Sequence, residues 1–516
     1  MKKRLFIILA LAGFSSCTDL DEEVFDSIES NNFYQTERQA LAAAGPVYSN
    51  LRAYQNPESV WGLNTFTTDE IVLPTRGNNW YNGGVFQRLH RQEWTPSEGF
   101  INNAWVFVFN NINTCNRLLF QFEKIENKSD ALVAVMKEIR GMRAFYYFLG
   151  MDLFGNIPIV DRFDVPADYA PANQSREEVF RFIESELLAV IPELPVSTDM
   201  KTYGRFHRWA AYATLAKLYL NAEVYTGEPM YEECVEACNT IINSGEFQLS
   251  SDFYSNFAVQ NEGSQENIFV IPFDVNLPQD WGSGGITSRM FSHYLWTLHG
   301  DGTRAFNTQQ GGWNGFAAVP SFYTSYDPED TRRNVWLVGQ QYSSSGEMLY
   351  NTAEMAGIPL VYTVEINSLE QAWENEGARL AKYDYTGAEN FTLSNDYVLF
   401  RYADILLMKA EALMRQNGGA ATPEAVELVN MVRSRAFQGN EDNVYTAGTL
   451  TLDALLAERG WEFAGEGWRR NDLIRFDAYT EPWDFKPNTS PDYVTIFPIP
   501  QAQLNANPNL VQNPGY

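Results

Sequence analysis

Residue types that catalyse reactions are sparse in this chain of 516 residues. Only four histidines occur, and none lies in an H-E-x-x-H pair or has metal-ligand spacing with a cysteine. The sequence contains neither a G-x-S-x-G nucleophile elbow nor a phosphate-cradling glycine loop. Asp and Glu number 65, so sequence spacing does not test for the carboxylate pair that a glycosidase needs. We therefore predict no catalytic residue, no metal and no cofactor, with a Ca²⁺ site of Asp and Asn oxygens left open.

Aromatic and planar polar side chains instead gather in a first stretch, residues 69–81, which glycines mark as a loop. Aromatic rings give a large contact area at low entropy cost, and planar polar groups fix a ligand's orientation. This combination suits an uncharged, hydroxyl-bearing ligand. In the alternative interpretation, Asp69 and Arg76 form a structural ion pair and Trp80 packs beneath the loop. The candidate binding residues here are Asp69, Arg76, Asn78, Asn79, Trp80 and Tyr81.

A second group of aromatic residues is spread through a Gly-rich region farther along the chain. Each of these rings, taken alone, is more often a core residue than a binding surface. Arg379 is a candidate hydroxyl clamp, and its alternative role is a salt bridge that holds the segment at Lys382. The candidates in this region are Trp281, Tyr294, Trp296, Trp313 and Arg379.

The composition indicates a large globular protein that avoids anionic partners. Hydrophobic residues make up 45% of the chain and aromatic residues 14%, well above the disordered range. A net charge of −28 argues against nucleic acid and against polyanionic substrates, so neutral ligands fit best. Cys115, Cys234 and Cys238 are interpreted as buried thiols, because the last two lie one helical turn apart and none has an evident partner.

The N-terminus has the layout of a secretory signal with a cysteine at the cleavage point. Basic residues 2–4 precede an apolar stretch, Leu5–Phe14, that is too short to span a bilayer, and Cys17 follows two serines. This resembles a bacterial lipobox, although Phe14 stands where an aliphatic residue is usual. We predict a signal peptide at 1–16, lipid on Cys17, and a tether at 17–30. Its acidic run is either a solvated spacer or a signal for export to the cell exterior.

Paired helical segments dominate the rest of the chain. Apolar residues recur at helical spacing in Trp209–Leu220 and again in Tyr231–Ile242, with Gly245 as a left-handed stop. The pattern returns in Arg401–Met414 and in a helix that Thr422 caps, and such helix pairs resemble tetratricopeptide repeats. Weaker copies lie around 138–154 and from 175 onward. An ordinary irregular helical domain is the alternative.

We expect helical repeats mainly at 99–250 and 400–475, and a loop-rich region with minor β structure at about 251–399. Within that region, the stretches Ile268–Phe273 and Tyr397–Phe400 look extended. Loops that a rigid frame positions are where binding usually resides. The predicted fold class is therefore mainly α, with a loop-rich insertion that carries the candidate rings.

With these elements in order, the chain resembles the SusD/RagB family across residues 31–516, taken as a single domain. The order of the segments, together with the lipobox, carries the resemblance. The segments are Thr67–Trp80, Arg143–Leu149 with Asp152–Pro158, Arg208–Ala213, Phe400–Leu407, Glu458–Phe463 and Phe497–Pro500.

The resemblance implies an α/α superhelix of tetratricopeptide-like helix pairs whose loops hold a glycan site. It further implies an outer-membrane lipoprotein, facing outward, that captures neutral oligosaccharides and delivers them to a SusC-like TonB-dependent transporter without cutting them. Two alternatives stay open. One is a surface glycoside hydrolase, and the other is a repeat scaffold that binds a protein or peptide cargo.

Overall fold

A computed structural model describes residues 36–276, 292–389 and 391–516, and helices dominate these ranges. The α-helices are α1 Glu37–Ser49, α2 Val60–Thr65, α3 Val85–Arg91, α4 Gly99–Glu123, α5 Asp130–Phe154, α6 Arg176–Val190, α7 Arg208–Leu220, α8 Ala222–Thr226, α9 Tyr231–Ser244, α10 Ser292–Leu295, α11 Pro320–Thr324, α12 Tyr402–Gln416, α13 Pro423–Ala436, α14 Leu452–Phe463, α15 Arg469–Arg475 and α16 Gln501–Ala506. The strands are β1 Ile71–Val72, β2 Asn267–Ile271, β3 Ala317–Ala318, β4 Trp336–Leu337, β5 Gly339–Gln340, β6 Val361–Tyr362, β7 Arg379–Leu380 and β8 Tyr397–Arg401.

The long helices pack against one another in succession along the chain, and the predicted helix pairs are among these contacts. Helix α4 packs on α5, α5 on α6, α7 on α9, α9 on α12 and α12 on α13. Gly245 ends α9 in the left-handed conformation, at φ 71°. The Thr422 hydroxyl accepts a hydrogen bond from the Ala425 amide at the start of α13. The predictions of helical repeats and of a mainly α fold are confirmed.

One apolar core runs through the described residues from Ala40 to Ile499. Tyr146 and Tyr147, on the periodic stripe of α5, have no exposed surface, as a core role predicts. Cys115, Cys234 and Cys238 are buried free thiols, which confirms that interpretation. A second, small cluster of Leu349, Leu360 and Tyr362 lies apart from the main core.

The predicted signal peptide, the Cys17 anchor and the tether at 17–30 lie outside the described residues. The described chain begins at Thr36, whose side chain forms a capping box with Gln39 at the start of α1. In the described ranges, a helix of the length and apolarity needed for a bilayer crossing is not found.

The two stretches predicted to be extended pair with each other. Strand β2 lies antiparallel to β8, with Ile271 opposite Tyr397. The pairing closes the base of the loop-rich region, so its two ends leave the helical frame side by side. Three further antiparallel pairs, β1–β3, β4–β7 and β5–β6, involve strands of two residues each.

Buried charges clamp this base onto α14. Arg401, which has no exposed surface, lies 2.8 Å from the Glu266 carboxylate, 2.5 Å from that of Glu462 and 2.9 Å from that of Glu466. Removing one partner of a buried ion pair costs about 3–5 kcal/mol, because the remaining charge is left uncompensated. Arg401 and Glu462 belong to segments that carry the family resemblance, and their role is to fix the loop-rich region to the repeats.

Candidate functional site

The loop at 76–81 is a tight turn seated on the loop-rich region. The Arg76 amide donates to the Asn79 carbonyl at 3.0 Å, and the Asn79 amide donates back at 2.8 Å. Gly77 has φ 53°, a left-handed conformation that favours glycine, and a Cβ there would also require the Glu354 side chain, whose Oε1 would be 1.9 Å away, to move. The turn leaves Asn78 and Asn79 exposed.

Trp80 follows the turn in a strained backbone conformation. Its φ is 67°, which a bulky residue adopts at a cost on the order of 1–3 kcal/mol and which is often found at binding sites. The indole N–H donates to the Trp313 carbonyl at 2.8 Å, and the ring centroid lies 4.7 Å from that of Trp296. The half-buried Trp80 ring therefore joins the 76–81 loop to the 313–316 segment.

Trp313 and Tyr81 present their rings to solvent. Trp313 is 38% exposed and Tyr81 is 61% exposed. The Trp313 segment is fastened from below, because the Gly315 amide donates to the Trp296 carbonyl at 2.7 Å and the Asn314 amide donates to the Leu298 carbonyl at 2.9 Å. Both predicted residues are thus accessible, and the Trp313 segment is held on a rigid base.

Arg76 holds loops together from inside the protein. Its Nε donates to the Gly315 carbonyl at 3.0 Å and its Nη1 to the Trp373 carbonyl at 2.6 Å. Burial, assisted by the nearby Arg379 guanidinium, lowers the pKa of Arg76 well below its ordinary value. The buried side chain positions the site but does not reach the surface.

Arg379 also lies in the interior, where it cannot clamp a ligand hydroxyl in this conformation. Its Nη2 donates to the Glu374 carbonyl at 2.9 Å and its Nη1 to the Gly315 carbonyl at 3.3 Å. Burial lowers the pKa of Arg379 to about 10. These acceptors are backbone carbonyls, which differs from both roles expected from the sequence: a surface clamp and a salt bridge.

Three other predicted residues differ from expectation in their surroundings. Asp69 forms a two-pronged ion pair with Arg469, at 2.7 Å for each contact, and not with Arg76. Tyr294 has no exposed surface and Trp296 only 5%, so both support the site from beneath. Trp281 lies outside the described residues.

Trp373 is an exposed ring that the sequence analysis missed. It is 48% exposed, and its backbone is anchored by Arg76. The sequence holds a weak signal of this exposure, because the neighbours of Trp373 are polar except for Ala372. Ala372 is itself buried, where it pairs with Arg76 of the 76–81 loop. We call the exposed rings of Tyr81, Trp313 and Trp373, with half-buried Trp80, the aromatic platform.

A buried pair beneath Trp373 stiffens the platform further. Nε2 of His299 lies 2.9 Å from the Glu374 carboxylate, which also accepts hydrogen bonds from the amides of Ala353, at 2.9 Å, and Met355, at 2.8 Å. Although burial disfavours its charge, these donors hold the pKa of Glu374 below its ordinary value. The carboxylate thus ties the loop around 353–355 to the backbone of Trp373.

This arrangement suits binding without covalent chemistry. Rigid, exposed rings flanked by Asn78 and Asn79 can stack on the apolar face of a sugar while amides bind its hydroxyls. Within 36–276, 292–389 and 391–516, the His, Cys, Asp and Glu side chains form no group of three that could hold a metal ion.

Two cavities lie away from the platform. One, of about 630 Å³, is bordered by Tyr203, His207 and Asn267, and the other, of about 540 Å³, by Phe120 and Arg143. Neither cavity is bordered by a candidate binding residue from the sequence analysis. The second cavity contains one pair of neighbouring rings, Phe120 and Phe163, with centroids 5.8 Å apart. The platform is the better candidate because it combines four rings with the exposed side chains of Asn78 and Asn79.

Comparison with known proteins decides the family. The sequence pattern of the SusD family matches residues 244–516, more than half of the chain. The chain belongs to the SusD family. A second family pattern, described as starch-binding associating with outer membrane, matches residues 26–220. The SusD family resemblance seen in the sequence is therefore confirmed, and so is the tetratricopeptide-like helical fold.

Relatives of this SusD family member share its full length. It is 25% identical to the starch-binding protein SusD of Bacteroides thetaiotaomicron, covering 100% of this chain and 99% of that one. A crystal structure of a SusD homologue from the same species matches with a TM-score of 0.77 at 22% identity, covering 95% of this chain and 99% of that one. Surface glycan-binding protein A of that species, in complex with laminarihexaose, matches at TM-score 0.71 and 21% identity, covering 92% and 99%. At these identities the structures show a shared fold.

Proposed function

We propose that this protein captures neutral oligosaccharides on the aromatic platform at the cell surface and delivers them to a SusC-like TonB-dependent transporter without hydrolysing them. The observation that supports this most is the set of three exposed rings, Tyr81, Trp313 and Trp373, held on loops that buried groups fasten from below. Rigid rings lose little entropy on binding, so stacking contributes directly to affinity.

The names of relatives support the choice of ligand and the absence of cleavage. Two of the three relatives compared above are named as a starch-binding and a glycan-binding protein, and the second is in complex with laminarihexaose. The net charge of −28 agrees with an uncharged ligand, since a polyanion would be repelled. Anchoring through lipid on Cys17, orientation toward the exterior and docking on a SusC-like barrel are parts of the same proposal.

A panel of laminarin, starch and their oligosaccharides tests the binding step by calorimetry. We expect Trp313→Ala to lower affinity about ten-fold or more, since losing an aromatic anchor commonly costs over 1 kcal/mol. Tyr81→Ala should weaken binding, whereas Tyr169→Ala, at an exposed tyrosine outside the platform, should not. A folded Trp313→Ala protein with unchanged affinity would move the site elsewhere.

Incubating the purified protein with the same glycans separates the competing functions. Release of reducing ends by the purified protein would support a glycoside hydrolase and contradict the proposal. Binding without release supports capture, and binding to none of the glycans would favour a scaffold for protein or peptide. Co-purification of a TonB-dependent barrel from outer membranes tests delivery to the transporter.

A further inference from the structure

A short β-ribbon at 339–351 carries an uncovered face. Tyr342 and Met348 face each other across the antiparallel ribbon, and the Leu349 amide donates to the Gln341 carbonyl at 3.0 Å. Residues directly opposite each other share a face, and so do residues two apart on one strand. Tyr342, Met348 and Tyr350 therefore lie on one side, which we call the distal face.

The two sides of the ribbon differ sharply in burial. Leu349, on the opposite side from the distal face, has no exposed surface and belongs to the small cluster with Leu360 and Tyr362. Tyr342 is 51% exposed, Met348 41% and Tyr350 42%. A ribbon with its own small core does not need large apolar residues on its outer side, and exposed patches of this kind commonly mark binding surfaces.

The segment that carries the distal face lies close to the Trp313 segment of the aromatic platform. The Tyr350 amide donates to Oδ2 of Asp301 at 3.1 Å. A Cβ built on Gly300 would lie 3.7 Å from the carbonyl oxygen of Gly312 and 3.9 Å from the Thr352 hydroxyl. Trp313 directly follows Gly312, so the segments that carry Tyr350 and Trp313 both lie against Gly300 and Asp301.

A second connection reaches the Trp373 side of the platform. The Glu374 carboxylate accepts a hydrogen bond from the Thr352 amide at 3.1 Å, in addition to those from Ala353 and Met355. The ribbon is thus tied to both platform loops. Of the eight aromatic side chains exposed in the described part of the chain, five lie on the platform or the distal face: Tyr81, Trp313, Tyr342, Tyr350 and Trp373.

Charge near the ribbon also suits an uncharged ligand. Arg304 forms ion pairs with both Asp301 and Glu347, which leaves one net negative charge at this end of the ribbon and disfavours an anionic ligand. The tyrosines add hydroxyl groups to their rings, which allows hydrogen bonds as well as stacking.

We propose that the distal face binds further sugar units of the same neutral glycan chain that the platform holds. This rests on the proposed function and adds length selection to it: chains long enough to reach from the platform to Tyr342 bind more tightly than short ones. The gain arises because the second contact is intramolecular once the platform is occupied.

The test compares a short and a long form of one glycan, laminaribiose and laminarin, with maltose and starch as the second pair. We expect Tyr342→Ala with Tyr350→Ala to lower affinity for the polymer about ten-fold while affinity for the disaccharide stays unchanged. Replacing both tyrosines with Phe keeps the rings, so it should retain most of the polymer affinity. Tyr169→Ala is the matched control, and coincident thermal unfolding curves establish that the variants fold.

The other outcomes overturn the proposal in distinct ways. Unchanged polymer affinity in the double Ala variant means that the distal face does not bind glycan, and loss of a co-purifying outer-membrane protein from the same variant would assign it to a protein partner. An equal loss for disaccharide and polymer would make the face part of a single site. If the wild-type protein binds neither glycan pair, or if Trp313→Ala leaves both affinities unchanged, the proposed function fails together with this inference.

Discussion

Arg76 and Arg379 donate hydrogen bonds to the same carbonyl oxygen, that of Gly315, at 3.0 and 3.3 Å. Each guanidinium also binds a carbonyl of the neighbouring segment, Trp373 for Arg76 and Glu374 for Arg379. Three loops from distant parts of the sequence therefore converge on two buried side chains. Their planar, forked donors suit this task, since one group can hold two acceptors in fixed directions.

Arg76→Lys should consequently weaken glycan binding although residue 76 touches no ligand. An ammonium group on a flexible stem cannot hold the Gly315 and Trp373 carbonyls together, and each lost bond from a charged donor costs about 1.5–3 kcal/mol. We expect a lower melting temperature and a several-fold loss of affinity, with Trp313 and Trp373 more accessible to a fluorescence quencher. Arg181→Lys, in a partly exposed ion pair with Glu184 on α6, is the control. An Arg76→Lys variant that unfolds earlier but keeps both its affinity and its quenching would show that Arg76 serves stability alone.

Gly315 determines how closely the Trp80 ring approaches the backbone. A Cβ at this position would stand 2.6 Å from the Trp296 carbonyl oxygen and 3.0 Å from Cε2 of Trp80. We expect Gly315→Ala to displace Trp80 and Trp313 and to lower glycan affinity, since a shift of the stacking rings weakens every contact they make. Gly263→Ala is the matched control, because a Cβ there meets nothing within 4 Å. Equal affinities for the two Ala variants, measured by calorimetry, would contradict the role given to this close approach.

The buried carboxyl group of Glu70 should make the stability of the protein depend on pH. Burial raises its pKa to about 8, and its Oε1 accepts a hydrogen bond from the Gly465 amide at 2.5 Å. The folded state therefore keeps a proton that the unfolded chain releases above its ordinary pKa of about 4.3. Since Glu70 binds more protons in the folded state between these values, its contribution to stability should fall as pH rises from about 5 to 8.

Glu70→Gln should remove this contribution, because the amide keeps an acceptor oxygen and does not ionise. We expect a higher melting temperature than wild type at pH 8 and a smaller difference at pH 5. Glu193→Gln, at a half-exposed ion pair with Lys137, controls for the loss of one carboxylate. If the difference in melting temperature between Glu70→Gln and wild type is the same at pH 5 and pH 8, after correction by this control, Glu70 is ionised in the folded protein.

The helices could be predicted because their signals are local. Ser175 and Glu178, three residues apart, form a capping box, and the apolar stripes of α7, α9 and α12 follow the helical period. The extended character of Ile268–Phe273 and Tyr397–Phe400 was also visible. Their pairing was not, since it joins segments far apart in the sequence and depends on long-range packing.

The site was harder to predict, because residue type does not determine burial. Tyr294 and Trp313 look alike in the sequence, yet the first is fully buried and the second exposed, because Trp313 follows a pair of glycines that lay its segment over Leu298. Arg379 was a reasonable surface candidate, and only the folded loops show that it points inward at carbonyls. Trp373 could not be predicted from local sequence. Its backbone is anchored by Arg76, which lies about 300 residues earlier in the chain.

Cys17→Ser should release the protein from the membrane. The prediction follows from the sequence, where a basic start, a short apolar stretch and a cysteine at the cleavage point favour acylation. Each buried CH₂ of an acyl chain adds about 0.8 kcal/mol of membrane affinity, and several chains together hold a protein firmly. We expect the Cys17→Ser variant to lose incorporation of labelled palmitate and to appear in the soluble fraction. Cys115→Ala, which changes a buried free thiol, should keep both the label and the membrane association. A Cys17→Ser variant that is still labelled and membrane-bound would show that the anchor lies elsewhere.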